Sequence, residues 1–310
     1  MGAFLIAFNT VLPLFLIIIA GFLFSNTKAA SAYWIDILNK FALWIGFPAL
    51  VIHSLTRLEI SGSHITELVL FNSAFIVGSI LLAYPVSALL GFSNLQRRTL
   101  FLIFAFGNVA YLGIPVLQSV FGDAILPVAA ILSAVYLFWL LTLALILVEV
   151  HGEGNVDPAR LFFSLIKNPL LLSVITGITI AAFSIPVPAA ISKAISMFAG
   201  SVTAIVLFSL GIFLGYQKKG RIKDWAISAA FVILTMVLFP AVFWCLLRRA
   251  GLPEHYMQAS ILDAAMPLGL TPYALAQQYH LDTPFAARLV VLATIMSIII
   301  LPLWITLLGI

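Results

Sequence analysis

Two apolar stretches of the sequence carry helix-breaking residues at positions that could form a ligand site. They are Phe106–Gly122 (FGNVAYLGIPVLQSVFG) and Asp263–Tyr279 (DAAMPLGLTPYALAQQY). Proline lacks a backbone N–H and suits the first position of a helix, so Pro115 and Pro272 are each predicted to end one half-helix and begin another. The new N-termini would carry unsatisfied N–H groups and about half a positive charge each. Two such ends facing each other predict an anion site that needs no buried Arg or Lys.

Other residues of these stretches complete the predicted site. Gly107 and Gly113 permit close backbone approach, and Asn108 offers a donor and an acceptor beside them. This combination suits a ligand that carries a carboxylate on a polar or aromatic group. The predicted contacts from the second stretch are Met266, Pro267, Thr271 and Pro272. The alternative is an ordinary kink, the interpretation that we give to the isolated prolines Pro13, Pro48, Pro85 and Pro240.

One acidic residue, Asp263, lies beside the second break, four residues before Pro267. A charged group at depth in a membrane is costly and is therefore a functional candidate. Asp263 is predicted to serve in ion coupling, either as a proton carrier or by holding a sodium ion together with freed backbone carbonyls. The alternative is a carboxylate that is hydrated near the outer interface or caps a helix. The histidines have no ligand-like spacing, so no metal site is predicted.

The other charged residues in or near apolar runs have structural interpretations. Asp36 and Lys40 stand four residues apart, the spacing of a helical ion pair. Asp123 is predicted to be a helix N-cap. Glu67 and Arg288 begin apolar runs and are expected to extend to an interface.

The composition indicates that most of the chain lies in a lipid bilayer. Of 310 residues, 63% are hydrophobic and 8% are charged, and the mean hydropathy is +1.19. A transmembrane helix needs about 20 mostly apolar residues. The sequence therefore predicts an all-α polytopic membrane protein with ten transmembrane helices, at residues 4–24, 34–55, 66–90, 99–121, 124–148, 166–184, 190–215, 225–247, 257–279 and 284–308.

The ten spans divide into two halves of opposite orientation. The longest polar stretch, Glu149–Lys167, follows the fifth span. Residues 1–150 are predicted to form a first five-helix repeat, 151–165 a cytoplasmic connecting loop, and 166–310 a second, inverted repeat. An odd number of spans per half forces this inversion, and the broken helices are the fourth and ninth spans, at equivalent positions in the two halves. Inverted repeats with broken helices are typical of transporters.

The distribution of positive charge predicts the orientation of the chain. If both termini lie outside, the inner loops hold nine Lys and Arg residues and the outer loops hold four. The positive-inside rule favours this arrangement. The inner set is Lys28, Arg97, Arg98, Arg160, Lys167, Lys218, Lys219, Arg221 and Lys223, and the outer set is Arg57, Lys193, Arg248 and Arg249.

The sequence carries no signal for an enzyme, a cofactor or a nucleic-acid partner. It has no HExxH motif, no nucleophile elbow and no phosphate-binding glycine loop followed by Lys. No basic patch has interleaved aromatic residues, so topology explains the formal charge of +4. Cys245 is the single cysteine, which excludes an intrachain disulfide, and it is expected to pack among apolar residues.

At the two broken stretches the chain resembles the auxin efflux carrier family. The segments GNVAYLGIPVLQSVFG and AAMPLGLTPYALAQQYHLD resemble the two crossover segments of that family. The closing TIMSIIILPLWITLL, the length and the two five-span halves extend the resemblance to essentially the whole chain. Bacterial members are often linked to small carboxylates. The long hydrophilic middle loop of the plant carriers is reduced here to Glu149–Lys167, so we do not expect auxin as the substrate.

The resemblance also implies roles for particular parts of the chain. Pro115 and Pro272 would be the two crossover prolines, and Asn108 the crossover asparagine that faces the substrate. Helices 1, 2, 6 and 7 would form a scaffold through which two protomers meet as a homodimer. Helices 3–5 and 8–10 would form a transport domain that moves by an elevator mechanism.

The expected function is a secondary transporter that exports a small organic anion, bound at the crossing of helices 4 and 9. The membrane potential favours export by about 2.3 kcal/mol per charge per 100 mV. The alternative is a sodium-coupled, bile-acid-type symporter of organic anions, which shares the broken-helix architecture. A non-transporting receptor is a weaker alternative. An intramembrane enzyme based on Asp263 is another weaker alternative, because it would lack a second carboxylate within the spans.

Overall fold

The computed structural model is built of helices. It describes residues 2–56, 64–105, 107–152, 163, 166–217 and 222–310, and no strand occurs within these ranges. The helices that we label are α1 (Gly2–Ser25), α2 (Tyr33–Leu55), α3 (Ile65–Leu89), α4 (Asn94–Ala105), α5 (Val109–Phe121), α6 (Asp123–Val150), α7 (Pro169–Ala182), α8 (Ala189–Gly215), α9 (Trp225–Leu247), α10 (Glu254–Ala264), α11 (Leu270–Gln278) and α12 (Thr283–Leu308).

The lengths and compositions of these helices suit a membrane. Within the described residues, seven are long and apolar enough to cross a bilayer, namely α1, α2, α3, α6, α8, α9 and α12, while α5 and α7 are apolar but shorter. The labelled helices begin and end near the predicted spans, with two helices in place of one span at α4–α5 and at α10–α11. The chain is therefore a polytopic membrane protein. Ten crossings in two inverted repeats stay a prediction.

Three helices contain a π-helical turn that ends two residues before a proline. The turns and prolines are Ala42–Gly46 with Pro48 in α2, Val109–Gly113 with Pro115 in α5, and Leu234–Leu238 with Pro240 in α9. A proline leaves the carbonyl four residues earlier without its usual donor, and the wider turn redistributes the remaining bonds. For Pro240 that carbonyl belongs to Met236, and it accepts the indole N–H of Trp304 at 2.8 Å. The helices therefore continue through these prolines.

Four helices, α1, α2, α7 and α8, pack together, and we call them the first set. The closest approach joins α1 to α8, where a Cβ added to Gly21 or to Gly211 would overlap the backbone of the other helix. Small residues of this kind let membrane helices associate through van der Waals contact. A hydrogen bond of 2.9 Å from Ser209 Oγ to Asn39 Oδ1 joins α8 to α2.

The remaining helices, α3 to α6 and α9 to α12, form the second set, which polar contacts tie together. Buried polar groups are costly in an apolar environment unless they are hydrogen-bonded. The bonds between its helices include Asn72 Nδ2 to Ser260 Oγ (2.9 Å), Arg98 Nε to Val148 O (2.8 Å), Gln258 Nε2 to Leu308 O (3.1 Å), Asp282 N to Thr99 Oγ1 (3.1 Å) and Trp304 Nε1 to Met236 O (2.8 Å).

Aromatic side chains make contacts across the boundary between the two sets. Phe47 of α2 meets Tyr111 of α5 edge to face, with ring centroids 5.2 Å apart. Phe213 of α8 meets Tyr273 of α11 in the same way at 4.8 Å. Each long-range side-chain hydrogen bond given above joins helices of one set. Packing contacts are individually weak, so they can be exchanged for others when surfaces shift.

Two predicted roles of charged residues are tested by the structure. The Asp36–Lys40 ion pair is confirmed, with Oδ2 and Nζ 2.8 Å apart. The prediction that Asp123 caps a helix is wrong, because Asp123 begins a 3₁₀ turn without a capping bond. Gly122, at φ 76°, turns the chain so that Asp123 Oδ1 instead accepts a hydrogen bond from Gln118 Nε2 at 2.8 Å.

Several predicted features lie outside the described residues. They include Phe106, most of the connecting loop 151–165, the side chain of Lys223, and the loop cations Arg57, Arg160, Lys218, Lys219 and Arg221. The repeat boundaries and the orientation of the termini therefore stay predictions.

Candidate functional site

The first break separates α4 from α5 and is centred on Asn108. Helix α4 ends at Ala105 and α5 begins at Val109, so Asn108 occupies the N-cap position with φ −80° and ψ 50°. Its carbonyl accepts the N–H groups of Leu112 at 3.0 Å and Gly113 at 2.8 Å. The new half-helix therefore begins six residues before Pro115, and the prediction that Pro115 begins it is wrong. The reason is the π-helical turn, which accommodates the proline inside α5.

The second break separates α10 from α11. Helix α10 ends at Ala264, and α11 begins at Leu270 after an extended Gly269 with φ −83° and ψ 168°. Pro272 is the third residue of α11, so it lies within the first turn. The predicted start of the second half-helix, Pro272, therefore lies two residues after the observed start, Leu270.

The two breaks meet in the middle of the second set. Gly107 and Leu268 form an isolated antiparallel bridge, and the Asn108 N–H donates to the Pro267 carbonyl at 2.5 Å. We call residues 107–108 and 266–269 the bridge region. Glycine suits this close approach, because a Cβ on Gly107 would lie 3.1 Å from the Met266 carbonyl oxygen, a tight contact.

Two polar side chains at the bridge region are buried without hydrogen-bond partners. Asn108 is 1% exposed, and neither its amide oxygen nor its amide nitrogen is hydrogen-bonded in the described part of the chain. Asp263 is also 1% exposed, and neither carboxylate oxygen has such a partner there. Buried polar groups normally have partners, and each exception needs an explanation. The amide of Asn108 and the carboxylate of Asp263 are therefore candidate ligand-binding groups.

Asp263 packs directly against α5. A Cβ added to Gly113 would lie 2.9 Å from Asp263 Oδ1, so the absence of a side chain at Gly113 leaves room for the carboxylate. Tyr136 of α6 interacts electrostatically with Asp263. The alternative of a hydrated or helix-capping Asp263 is wrong, because the carboxylate is buried and accepts no backbone N–H in the described residues.

The structure brings most of the predicted site residues together. Gly107, Asn108, Met266 and Pro267 form the bridge region, and Gly113 lies against Asp263. Thr271 and Pro272 lie in the first turn of α11, and Pro115 is buried within α5. Their binding roles stay predictions.

Sequence reasoning missed several polar residues near the bridge region. Ser133 Oγ donates to the Val109 carbonyl at 3.3 Å, at the first residue of α5. Asn72 donates to Ser260, one turn before Asp263, and its own amide oxygen has no hydrogen-bond partner in the described chain. Asn72 is a buried amide within an otherwise apolar run, and that feature of the sequence could have identified it.

Two cavities could admit a ligand, one beside the bridge region and one between the two sets of helices. A small one of about 40 Å³ lies inside the second set, and its wall includes Gly107, Ala264 and Met266 with the hydroxyl-bearing Ser79, Tyr136 and Thr235. A larger one of about 450 Å³ lies between the two sets. Its polar lining is His53 and Ser54 of α2, Gln118 of α5, Asp123 of α6, and Ser196 and Thr203 of α8.

These features define a class of protein. Apolar helices of membrane-spanning length surround a buried polar region where the ends of four helices meet, an arrangement that membrane transporters use. The family model described as "Membrane transport protein" matches residues 6–305. The chain belongs to this family, whose members are membrane transporters and not enzymes, and the resemblance to the auxin efflux carriers is confirmed.

The relatives include both prokaryotic and plant proteins. An "Uncharacterized transporter" of Methanothermobacter thermautotrophicus is 24% identical over 301 residues, 96% of each chain. A "Putative malonate transporter" of Rhizobium meliloti is 24% identical over 308 residues, 93% of this chain and 91% of the relative. "Auxin efflux carrier component 1" of Arabidopsis thaliana is 28% identical over 149 residues, 47% of this chain and 24% of the carrier.

Proposed function

We propose that this protein is a secondary transporter that exports a small organic anion across a bacterial inner membrane. The bridge region would be the crossing of the fourth span (α4 and α5) with the ninth (α10 and α11), and the anion would bind there. The observation that carries the proposal is the buried Asn108 amide, which has no hydrogen-bond partner in the described chain and lies at the N-terminus of α5.

The recognition of an anion follows from the polarity of the helix ends. Helices α5 and α11 both begin within two residues of the bridge, and helix N-termini attract negative charge. The Asn108 amide N–H₂ would donate to the anion, and Thr271 in the first turn of α11 would add a hydroxyl. Gly107, Gly113, Pro115, Met266, Pro267 and Pro272 would shape the site around it.

A small carboxylate is the substrate class that the relatives favour. The "Putative malonate transporter" matches along nearly its whole length, whereas the plant auxin carrier component matches less than half of this chain. The membrane potential would drive a net negative charge outward.

The division into two sets of helices supports an elevator mechanism. The first set would be the scaffold and the dimer contact, and the second set, with the bridge region inside it, would move as the transport domain. Polar bonds within the second set favour its movement as one body. The apolar boundary and the cavity of about 450 Å³ between the sets would give the substrate its route from one side.

Flux of a defined carboxylate in proteoliposomes tests this function. We expect the reconstituted full chain to carry radiolabelled malonate, and Asn108→Ala to reduce the flux by about 10-fold to 100-fold, because a hydrogen bond to a charged group contributes about 1.5–3 kcal/mol. Asn26→Ala, at an exposed asparagine after α1, is the matched control and should leave the flux unchanged. Flux that survives Asn108→Ala and Pro115→Ala together would refute the crossing as the site. Failure of malonate, succinate, lactate and acetate alike would refute the substrate class.

A further inference from the structure

The four helix ends at the bridge region differ in electrostatic character. Helices α5 and α11 begin there, whereas α4 ends at Ala105 and α10 ends at Ala264. C-terminal helix ends carry partial negative charge and favour cations. Asp263 is the penultimate residue of α10, so a carboxylate and a helix C-terminus contribute negative charge at the same place. Asn108, at a helix N-terminus, lies on the side that favours an anion.

A bare Asp263 carboxylate is unfavourable in this position. It is 1% exposed and has no hydrogen-bond donor in the described residues, and a buried charge must be paired or neutralised. The helices packed against α10 are α3, α5, α6, α9 and α12. The titratable or charged side chains of these helices are Glu67 and Tyr84 in α3, Tyr111 in α5, Asp123, Tyr136 and Glu149 in α6, Cys245 in α9, and Arg288 in α12. Tyr136 interacts with Asp263 electrostatically, but no ion pair to Asp263 occurs among the described side chains.

A small cavity with hydroxyl groups in its wall lies beside Ala264, the residue that follows Asp263 in the chain. The cavity of about 40 Å³ is bordered by Ala264, the neighbour of Asp263, and by the hydroxyls of Ser79, Tyr136 and Thr235. A cavity of this size can hold a water molecule or a small ion. Oxygen ligands suit hard cations. The geometry points to a site for one monovalent cation at Asp263: either a proton on the carboxylate, or a sodium ion between the carboxylate and the oxygens of this cavity.

The site would make anion loading depend on the cation. This consequence rests on the proposed function, because it requires an anionic substrate at Asn108. Two negative charges at the bridge region repel each other, and a proton or sodium ion on Asp263 removes that repulsion. One cation moving with a monocarboxylate would leave the step electrically neutral. With a dicarboxylate such as malonate, one net negative charge would move.

Cation binding can be measured without any transport. Thermal unfolding of the purified full chain in detergent is followed in two arms. In one, choline chloride is replaced by NaCl at constant ionic strength and pH. In the other, sodium is absent and the pH is lowered from about 8 to about 6. We expect one arm to raise the Tm of the wild-type protein by about 2–4 °C, since a ligand that binds only the folded state stabilises it. The responding arm identifies the ion.

Four variants complete the test. Asp263→Asn keeps the shape but removes the charge and should abolish the response, whereas Asp36→Asn, at an exposed ion pair, should respond as the wild type does. Ser79→Ala should weaken a sodium response and leave a proton response intact. If Asp263→Asn does not fold, the charged variant Asp263→Glu should shift the cation midpoint.

The proposal and the transport function fail in different ways. An equal response in Asp263→Asn and wild type, an unshifted Asp263→Glu midpoint, or no wild-type response in either arm overturns the cation site. Malonate flux that depends on Asn108 but ignores sodium and pH would leave the transporter standing without this site. Cation binding without flux of any carboxylate would support the cation site and refute the transport function.

Discussion

Gly113 leaves the carboxylate of Asp263 the room that it occupies. A Cβ at this position would lie 2.9 Å from Oδ1, closer than van der Waals contact allows. We expect Gly113→Ala to push the carboxylate away from α5 and to reduce malonate flux by about 10-fold, with a loss of about 1–3 kcal/mol in stability. Flux assays and thermal unfolding of the same preparations measure both effects.

Gly78→Ala is the matched control for this prediction. Gly78 lies within α3, and an added Cβ there would meet no atom within 4 Å. Alanine is the better helix former, so this variant should be as stable as the wild type or slightly more stable. Equal flux in both variants would contradict the role assigned to Gly113.

At the scale of residues, the sequence predicted the centre of the candidate site better than its surroundings. Asn108 and Asp263 stand out because polar residues beside glycine and proline are conspicuous in apolar runs. Their neighbours Asn72 and Ser133 approach from helices far away in the chain, and no periodicity reports such a contact. That Asp263 is buried was likewise beyond prediction, because depth depends on the packing of α5 and α6 around it.

At the scale of elements, the proline in α9 is compensated by another helix. Pro240 cannot donate to the Met236 carbonyl, and Trp304 of α12 donates in its place at 2.8 Å. We expect Trp304→Phe to lower stability by about 1–3 kcal/mol, because the buried carbonyl loses its partner. In a Pro240→Ala background, residue 240 regains an N–H for this carbonyl, so the same substitution should cost less. Thermal unfolding of the wild type, the two single variants and the double variant gives the coupling free energy between residues 240 and 304. Additive losses of stability would refute the compensation.

The π-helical turn in α5 also explains why its observed start differs from the predicted one. A proline ends a helix only when the carbonyl that it leaves free has no alternative donor. In α5, the Val109–Gly113 turn accommodates Pro115, and the helix begins at the earlier break beside Gly107 and Asn108. The sequence therefore predicted that a break exists and approximately where it lies. The residue at which the chain resumes its helix depends on the bridge to Leu268, a tertiary contact.

At the scale of the whole molecule, the first set depends on the contact between α1 and α8. A Cβ on Gly211 would overlap the backbone of α1, whereas one on Gly200, in the same helix, would meet no atom within 4 Å. We expect Gly211→Ala to lower the stability by at least about 2 kcal/mol and Gly200→Ala to leave it unchanged or slightly higher. Similar unfolding temperatures for the two variants would show that the helices tolerate a wider separation.

Cross-linking across the boundary tests the proposed movement of one set against the other. In a Cys245→Ser background, Phe213→Cys with Tyr273→Cys joins the two sets, because these rings are in contact. Asn39→Cys with Ser209→Cys joins two helices of the first set, where the side chains are hydrogen-bonded. We expect Hg²⁺ to stop malonate flux in the former protein and to spare it in the latter. Full flux in a completely bridged Phe213–Tyr273 variant would exclude the elevator.

The aromatic contacts across the boundary between the two sets bear on the rate of the proposed movement. A sliding surface held by hydrogen bonds would have to break them inside the membrane, where each unsatisfied polar group is costly. If the second set moves as proposed, ring packing such as that of Phe47 on Tyr111 would be lost and regained gradually, which would keep the barrier at this contact low. The slow step of a transport cycle would then be the filling and emptying of the bridge region, and not the passage of one surface over the other.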